Sequence, residues 1–217
     1  TLARGFPRIY LDADIVLPEH ALAAIENEFR SSRRPLAVVP RRRVNSSGRP
    51  WLVRAHTAIA ERLPAFRHSL FGRGTIAVSE EGRSRFVAFP ELIADDLFLD
   101  SHFADHEKAV ADGVEVTVEA PRSTAELLGR LVRVRRGNAE LRAAGRSGEI
   151  PARIRPANRL AWFSDVVLPE PRLALAGVAY AGLNIWAAIL ARRTPKTGTE
   201  WGRKAGIRET SPRKEAN

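Results

Sequence analysis

Two acids near the start of the chain, Asp12 and Asp14, follow the apolar run Ile9-Tyr10-Leu11. On a strand, carboxylates two residues apart point to the same side. A strand that ends between them leaves one acid to hold a metal and the other to reach a ribose or a metal-bound water. Hard oxygen ligands of this kind suit Mg²⁺ or Mn²⁺ beside phosphates. The same pair also occurs as an ordinary solvated turn. A second acid pair, Asp95-Asp96, opens the apolar segment Leu97-Phe98-Leu99. Acids there either stabilise a helix N-terminus through the helix dipole or include a general base that takes a proton from an acceptor hydroxyl. A third group is Arg130, Arg133, Arg135 and Arg136, followed by Gly137 and Asn138. Arginine forks match phosphate oxygens bidentately, and on a helix Arg130 and Arg133 share a face with Arg136 near it. A solvated basic face is the other reading. His102 and His106 have the i, i+4 spacing of a metal pair but no third ligand. Ser46, Ser47 and the other histidines form no nucleophile–base motif.

The elements that must position these groups are legible from periodicity. Arg8 to Asp14 reads as a strand delivering carboxylates at its end. Pro18 and Glu19 open a helix with Leu22, Ile25 and Phe29 at helical spacing. Leu36 to Pro40 is a short buried strand, and Arg41 to Gly48 its continuation as a loop. Trp51 to Leu63 suits a helix stopped by Pro64. Phe71-Gly-Arg-Gly-Thr-Ile-Ala-Val-Ser79 is a glycine-rich turn entering a strand. Ser84 to Phe89 reads as another short strand, and Glu91 to Phe103 as a helix. Val114 to Glu119 alternates with period two, the mark of a half-exposed strand. Ser123 and Glu126 form a capping box ahead of a helix with Leu127, Leu128, Leu131 and Val134 on one side, broken by Gly145 to Gly148.

The chain of 217 residues carries 35 Lys and Arg against 25 Asp and Glu, a net charge of +10. With 44% hydrophobic residues it can bury a core. It has no cysteine, which excludes disulfides, thiolate zinc sites and cysteine nucleophiles. It has no methionine, even at position 1, so Thr1 is not expected to be the natural start. The charge raises nucleic acid as a partner, but aromatics are only 7% and the arginines fall in separate places, unlike an interleaved basic face. Leu173 to Ala191 contains 19 residues without a charge, with Asn184 its one strongly polar residue. As a helix it would be about 28 Å long, close to the ~30 Å core of a bilayer. Gly177 and Gly182 would allow close helix packing there. Spanning, interfacial and buried-core helices remain open alternatives. Both flanks are basic, so the positive-inside rule assigns no orientation.

Taken in order, IYLDADIVLP, FGRGTIAVS, FPELIADDLFLDSHF and LVRVRRGN resemble the family 2 inverting glycosyltransferases, and more narrowly their membrane-associated bacterial members. The resemblance runs from about Arg8 to Asn138. It implies a GT-A fold, here a partial α/β mixed sheet flanked by helices, with a C-terminal hydrophobic helix. It implies a nucleotide-diphosphate sugar as donor, a hydroxyl acceptor of which lipid-linked ones are common, and a divalent cation, Mg²⁺ or Mn²⁺. On this match Asp14 coordinates the cation, with Asp12 beside it and near the ribose or sugar. Gly72 and Gly74 match the turn under the acceptor. Asp96 matches the catalytic base and Asp95 the acid before it. Arg133, Arg135 and Arg136 lie where processive members carry a glutamine-arginine-tryptophan motif. The missing Gln, and Gly137 in place of Trp, point to transfer of a single sugar.

In the family, the βαβ units that hold the nucleotide precede the Asp-x-Asp motif, whereas eleven residues precede Asp12 here. The resemblance thus implies a chain lacking that part and a poor enzyme in isolation. It divides the chain into 1–148, the C-terminal part of a transferase domain; 149–193, a helical membrane-associated segment; and 194–217, a flexible basic tail. Nucleotide sugars are cytosolic, which implies the cytoplasmic face of the cell membrane. A non-catalytic membrane-anchored remnant of a transferase is the alternative, and a basic nucleic-acid-binding protein a further one.

Overall fold

A computed structural model describes residues 4–67, 69–90, 94–148 and 158–193. Arg153, Arg155, Lys196 and the basic tail from 194 lie outside the described residues. The chain builds a four-stranded mixed sheet with helices on both faces and an apolar C-terminal helix. The strands are β1 (Arg8–Leu11), β2 (Ala37–Asn45), β3 (Thr75–Val78) and β4 (Lys108–Glu119), in the order β1-β3-β2-β4. β3 is antiparallel to both β1 and β2, and β4 runs parallel to β2. The helices are α1 (Ala21–Phe29), α2 (Trp51–Ala60), α3 (Glu80–Ser84), α4 (Asp95–Asp100), α5 (Thr124–Ser147) and α6 (Ala174–Arg193).

Period-two alternation divides the strand residues between two cores. Val38 and Ala77 face α1, where they pack with Ala21, Ile25, Ala109 and Val114. Their neighbours Ala37, Val39, Ile76 and Val78 point the other way, onto Phe86, Phe98, Leu99 and Phe103. A third cluster joins α2, α5 and α6 through Val53, Leu127, Leu128, Leu183 and Ala187. A π-helical turn at Phe163–Val167 adds Val166 and Val167 to a fourth, against Ile59 and Leu63.

Five elements depart from the sequence reading. The arginines Arg41 to Arg43 are strand, not loop: β2 continues to Asn45. Pro40 has no N–H for the ladder, so the β2–β4 pairing breaks after Pro40↔Ala111 and resumes at Arg41↔Glu115. Asp112, Gly113 and Val114 have no partner in β2 between these pairs. Ser84 to Phe89 is not a strand. Ser79 Oγ accepts the Gly82 N–H and caps α3 instead, and Phe86 and Phe89 then pack edge-on with each other, and Phe89 with Tyr10. The helix expected from Glu91 begins at Asp95 and ends at Asp100; residues 91–93 lie outside the described ones. The strand at Val114 starts earlier, at Lys108. Leu22 and Val134, expected on buried faces, are exposed. The helix α5 runs through Gly145 and stops at Gly148, whose φ of +76° suits glycine. The Ser123 cap is present, with Oγ accepting the Glu126 N–H at 3.1 Å, while the Glu126 carboxylate accepts from Arg122 N–H rather than from the cap residue.

Candidate active site

The first acid pair sits where β1 stops. Leu11 pairs with Thr75, and one further backbone bond, Asp12 N–H to Gly74 C=O at 2.8 Å, holds Asp12 just past the strand end. The chain then turns, with Ile15 N–H donating to Asp12 C=O, and Ile15 folds over Gly74. A Cβ on Gly74 would lie 2.5 Å from Ile15 Cγ1, and its φ is +71°. Only glycine fits both demands. Gly72, with φ of +67°, is the other left-handed position of the turn. Between them Arg73 is buried and donates to the carbonyls of Phe66, Arg67, Ser69 and Pro40. It ties the glycine turn to the centre of the sheet.

Asp95 and Asp96 are the first residues of α4. Asp96 is half-buried. Its Oδ2 accepts the Gly72 N–H at 2.9 Å and its Oδ1 the Leu97 N–H at 2.7 Å. The acid pair and the glycine turn, 24 residues apart in sequence, are therefore bonded directly. Burial is the main cause that raises the Asp96 carboxyl above its ordinary value. The two backbone N–H bonds oppose this, and the charges of Asp95 and Asp12 add to it. Asp12 opens into the cleft, yet its carboxyl is also raised, chiefly by desolvation and then by Asp14 and Asp95; Arg130 acts the other way. So the two motifs feel each other's charge, and Arg130 is the α5 arginine whose charge acts on Asp12.

These groups line one open cleft of about 3460 Å³. That is larger than the roughly 300–1,000 Å³ of a pocket for one small ligand. Asp14, Arg133, Arg135 and Arg136 line it as well. Arg135 Nη2 is engaged at 3.0 Å by Asn184 Oδ1 of α6. Among the described residues Ser69 Oγ, Thr75 Oγ1 and Arg135 Nε are buried without a hydrogen-bond partner.

Among the described residues, no three His, Asp or Glu side chains assemble as a metal-holding group. Mg²⁺ commonly takes only one or two protein carboxylates, with phosphate and water completing the shell. Asp12, whose carboxyl is raised in part by the neighbouring Asp14, and Asp14 itself are two carboxylates that fit that smaller role. His102 and His106 do not form the metal pair their spacing allowed. The helix ends at Asp100, His106 lies in a separate 3₁₀ turn, and His102 Nδ1 bonds Phe98 C=O at 2.9 Å.

Arg42 escaped the sequence reading. It lines the cleft, donates to Gly72 C=O at 2.6 Å and lies over the Phe66 ring. Burial lowers its pKa, and Arg130 adds to that. The signal was strand alternation: within Arg41-Arg42-Arg43 the outer two lean toward Asp112 and Glu115 on the exposed side, and the middle one points inward. Reading the segment as loop hid it. Comparisons of the chain with family models, with curated proteins and with solved structures give no match.

Proposed function

We propose that the protein is a glycosyltransferase of the family 2 type with a partial GT-A-like fold, moving a single sugar from a nucleotide-diphosphate donor to a hydroxyl acceptor with inversion, at the cytoplasmic face of a membrane. The observation that carries this reading is the convergence of Asp12, the Gly72–Gly74 turn and Asp96 at one end of the sheet, joined by the Gly72–Asp96 and Asp12–Gly74 bonds. The meeting of three motifs remote in sequence supports this reading.

Asp96 is the general base. Its raised pKa gives the carboxylate more basicity than an ordinary one has, which favours removal of the acceptor O–H proton. The freed oxygen bonds to the anomeric carbon from the side opposite the diphosphate. The bond to the diphosphate oxygen breaks, and the nucleotide diphosphate leaves with that electron pair. Asp95 supports the base electrostatically. Gly72 and Gly74 keep the acceptor side low and free of side chains. Asp14 and Asp12 would hold the divalent cation, which supplies charge relief to the leaving diphosphate. Arg130, Arg133, Arg135 and Arg136 add cationic donors along the same cleft. Asp95 and Asp12 also oppose ionisation of Asp96, so a cation beside Asp12 would keep the base in its working form.

Replacing Asp96 by Asn in the native gene tests the assignment. Transfer of radiolabelled sugar from nucleotide donors into the host's lipid or polysaccharide fraction should fall to background, with protein level unchanged. Retained full transfer would overturn it.

A further inference from the structure

We infer that α6 is not a membrane-spanning helix but lies in the plane of an anionic bilayer surface, half covered by its own protein and half by lipid. This rests only on the membrane part of the function proposed above and is independent of the sugar chemistry.

A helix that is apolar all round must be covered all round. In α6 only 17% of the apolar window is buried inside the protein, so it is not a core helix. Its two faces are nevertheless distinct. Gly177, Leu183 and Ala187 are buried against the π-helical turn, α2 and α5. A Cβ on Gly177 would meet Val167 at 2.6 Å, so the backbone itself is seated there. Asn184, the polar residue of the segment, belongs to this inner face. Its Oδ1 accepts from Arg135 of α5, and its Nδ2 lies 3.4 Å from His56 Nε2 of α2. The opposite face carries Leu175, Val178, Ile185, Trp186 and Ile189, with Leu175 68% and Ile185 63% exposed. At about 100° per residue these five fall within a stripe roughly 100° wide.

The inner face decides the orientation. Of the partners that run alongside α6, α5 is strongly charged, with Arg130, Arg133, Arg135, Arg136, Arg142 and Arg146, while α2 carries the single charge of Arg54. A spanning α6 would draw these arginines into hydrocarbon, or else strip Asn184, His56 and Arg135 of one another. Arginine is among the costliest residues to place at the bilayer centre. An in-plane helix avoids both.

Charge on the outer side names the lipid. The stripe is bounded by exposed Arg192 and Arg193 at one end and, at the other, by Arg172, whose exposed guanidinium also pairs with Glu170 at 2.8 Å. Trp51, Arg54 and Arg172 border the groove beside Leu175, an aromatic-and-basic rim of the kind that settles at headgroup level. The net charge of +10 favours an anionic surface.

The test uses the full chain and its lack of cysteine. Single cysteines replace Arg172 and Arg193, and each protein is synthesised cell-free with closed vesicles of phosphatidylglycerol and phosphatidylcholine. Both positions should react with a membrane-impermeant maleimide added outside. Labelling of one and protection of the other would mean a spanning helix and overturn the proposal. Flotation with the vesicles should fall about tenfold in Leu175→Glu/Trp186→Glu, whose sites lie outside the packed face. It should also weaken on pure phosphatidylcholine. Undiminished flotation of the double variant, or no flotation together with dimers in sedimentation, would overturn it, the latter assigning the stripe to a second copy. Asp96→Asn should float as the parent does. Loss of transfer with retained flotation, or the reverse, separates failure of the sugar chemistry from failure of this inference.

Discussion

The two ends of α4 treat their acids in opposite ways. At its N-terminal end Asp96 accepts two backbone N–H groups and faces other acids, and its carboxyl is raised. At its C-terminal end Asp100 accepts the Leu70 N–H at 2.8 Å and pairs with buried Lys108 Nζ at 3.1 Å. Just beyond, Glu107 is gripped by both Nη atoms of Arg85, and that hydrogen bonding is the main reason its pKa falls to about 2. Acids given cations hold the fold. Acids given only N–H groups and each other are costly to keep ionised, and the roles proposed above for Asp96 and Asp12 rest on that cost. The difference also marks Lys108 as structural, although it lies in the same cleft wall as Asp96.

Exchanging the two acids gives the largest expected effects. Asp96→Asn should lower transfer by about 10²- to 10⁴-fold while changing stability by less than about 1 kcal/mol. Asp100→Ala should do the reverse. It leaves the Leu70 N–H and part of the Lys108 charge unmatched, at a cost of about 2–4 kcal/mol in chemical denaturation. A large stability loss in the first, or none in the second, would erase the contrast.

Next come the glycines of the turn that Asp96 grips. Gly74→Ala drives a Cβ into Ile15 at a positive φ and should cost about 3 kcal/mol. Gly72→Ala meets the fork of Arg42 at 3.2 Å, a flexible group, and should cost only about 1–2 kcal/mol. Thermal melting of the pair reads this order directly, and equal losses would mean that Ile15 gives way as readily as Arg42.

The finest test is the sign of two pH dependences. Glu107 has a depressed pKa. Its stabilisation is therefore full above its ordinary value of 4.5 and is lost as pH falls towards about 2. Asp96 has a raised pKa. The folded state holds its proton more tightly than the unfolded chain, so its contribution rises as pH falls through the raised value and is lost as pH rises. Comparing denaturation midpoints against pH, Glu107→Gln should flatten the acid-side loss, and Asp96→Asn should steepen it. Equal curves for both variants would show that the two carboxylates have the same surroundings.

Much of this site was legible residue by residue. The apolar run before Asp12, the acids opening α4, the glycines of the turn and the Ser123 cap are all local signals, carried by contacts a few residues apart. Arg42, Arg73 and Lys108 were not legible. Their roles depend on which face of a strand they occupy and on carbonyls or carboxylates brought from elsewhere in the chain. Asn184 read as an isolated polar residue in an apolar helix, because nothing near it in sequence announces His56 or Arg135.

The sequence by itself determined where most strands and helices form, which segment is apolar enough to seek a membrane, and which acids and arginines could do chemistry. Those properties follow from side-chain period, capping and composition, which act over one or two turns of chain. Tertiary structure alone decided that β2 continues past Pro40 by pairing with β4, that Asp96 reaches the Gly72 turn, that Asp100 takes Lys108 while Asp96 pairs with no cation among the described residues, and that α6 presents one face to α2 and the arginine-rich α5 and the other outward. Each of these is a pairing between distant residues, and the free energy of such a pairing depends on neighbours that no short stretch of sequence contains.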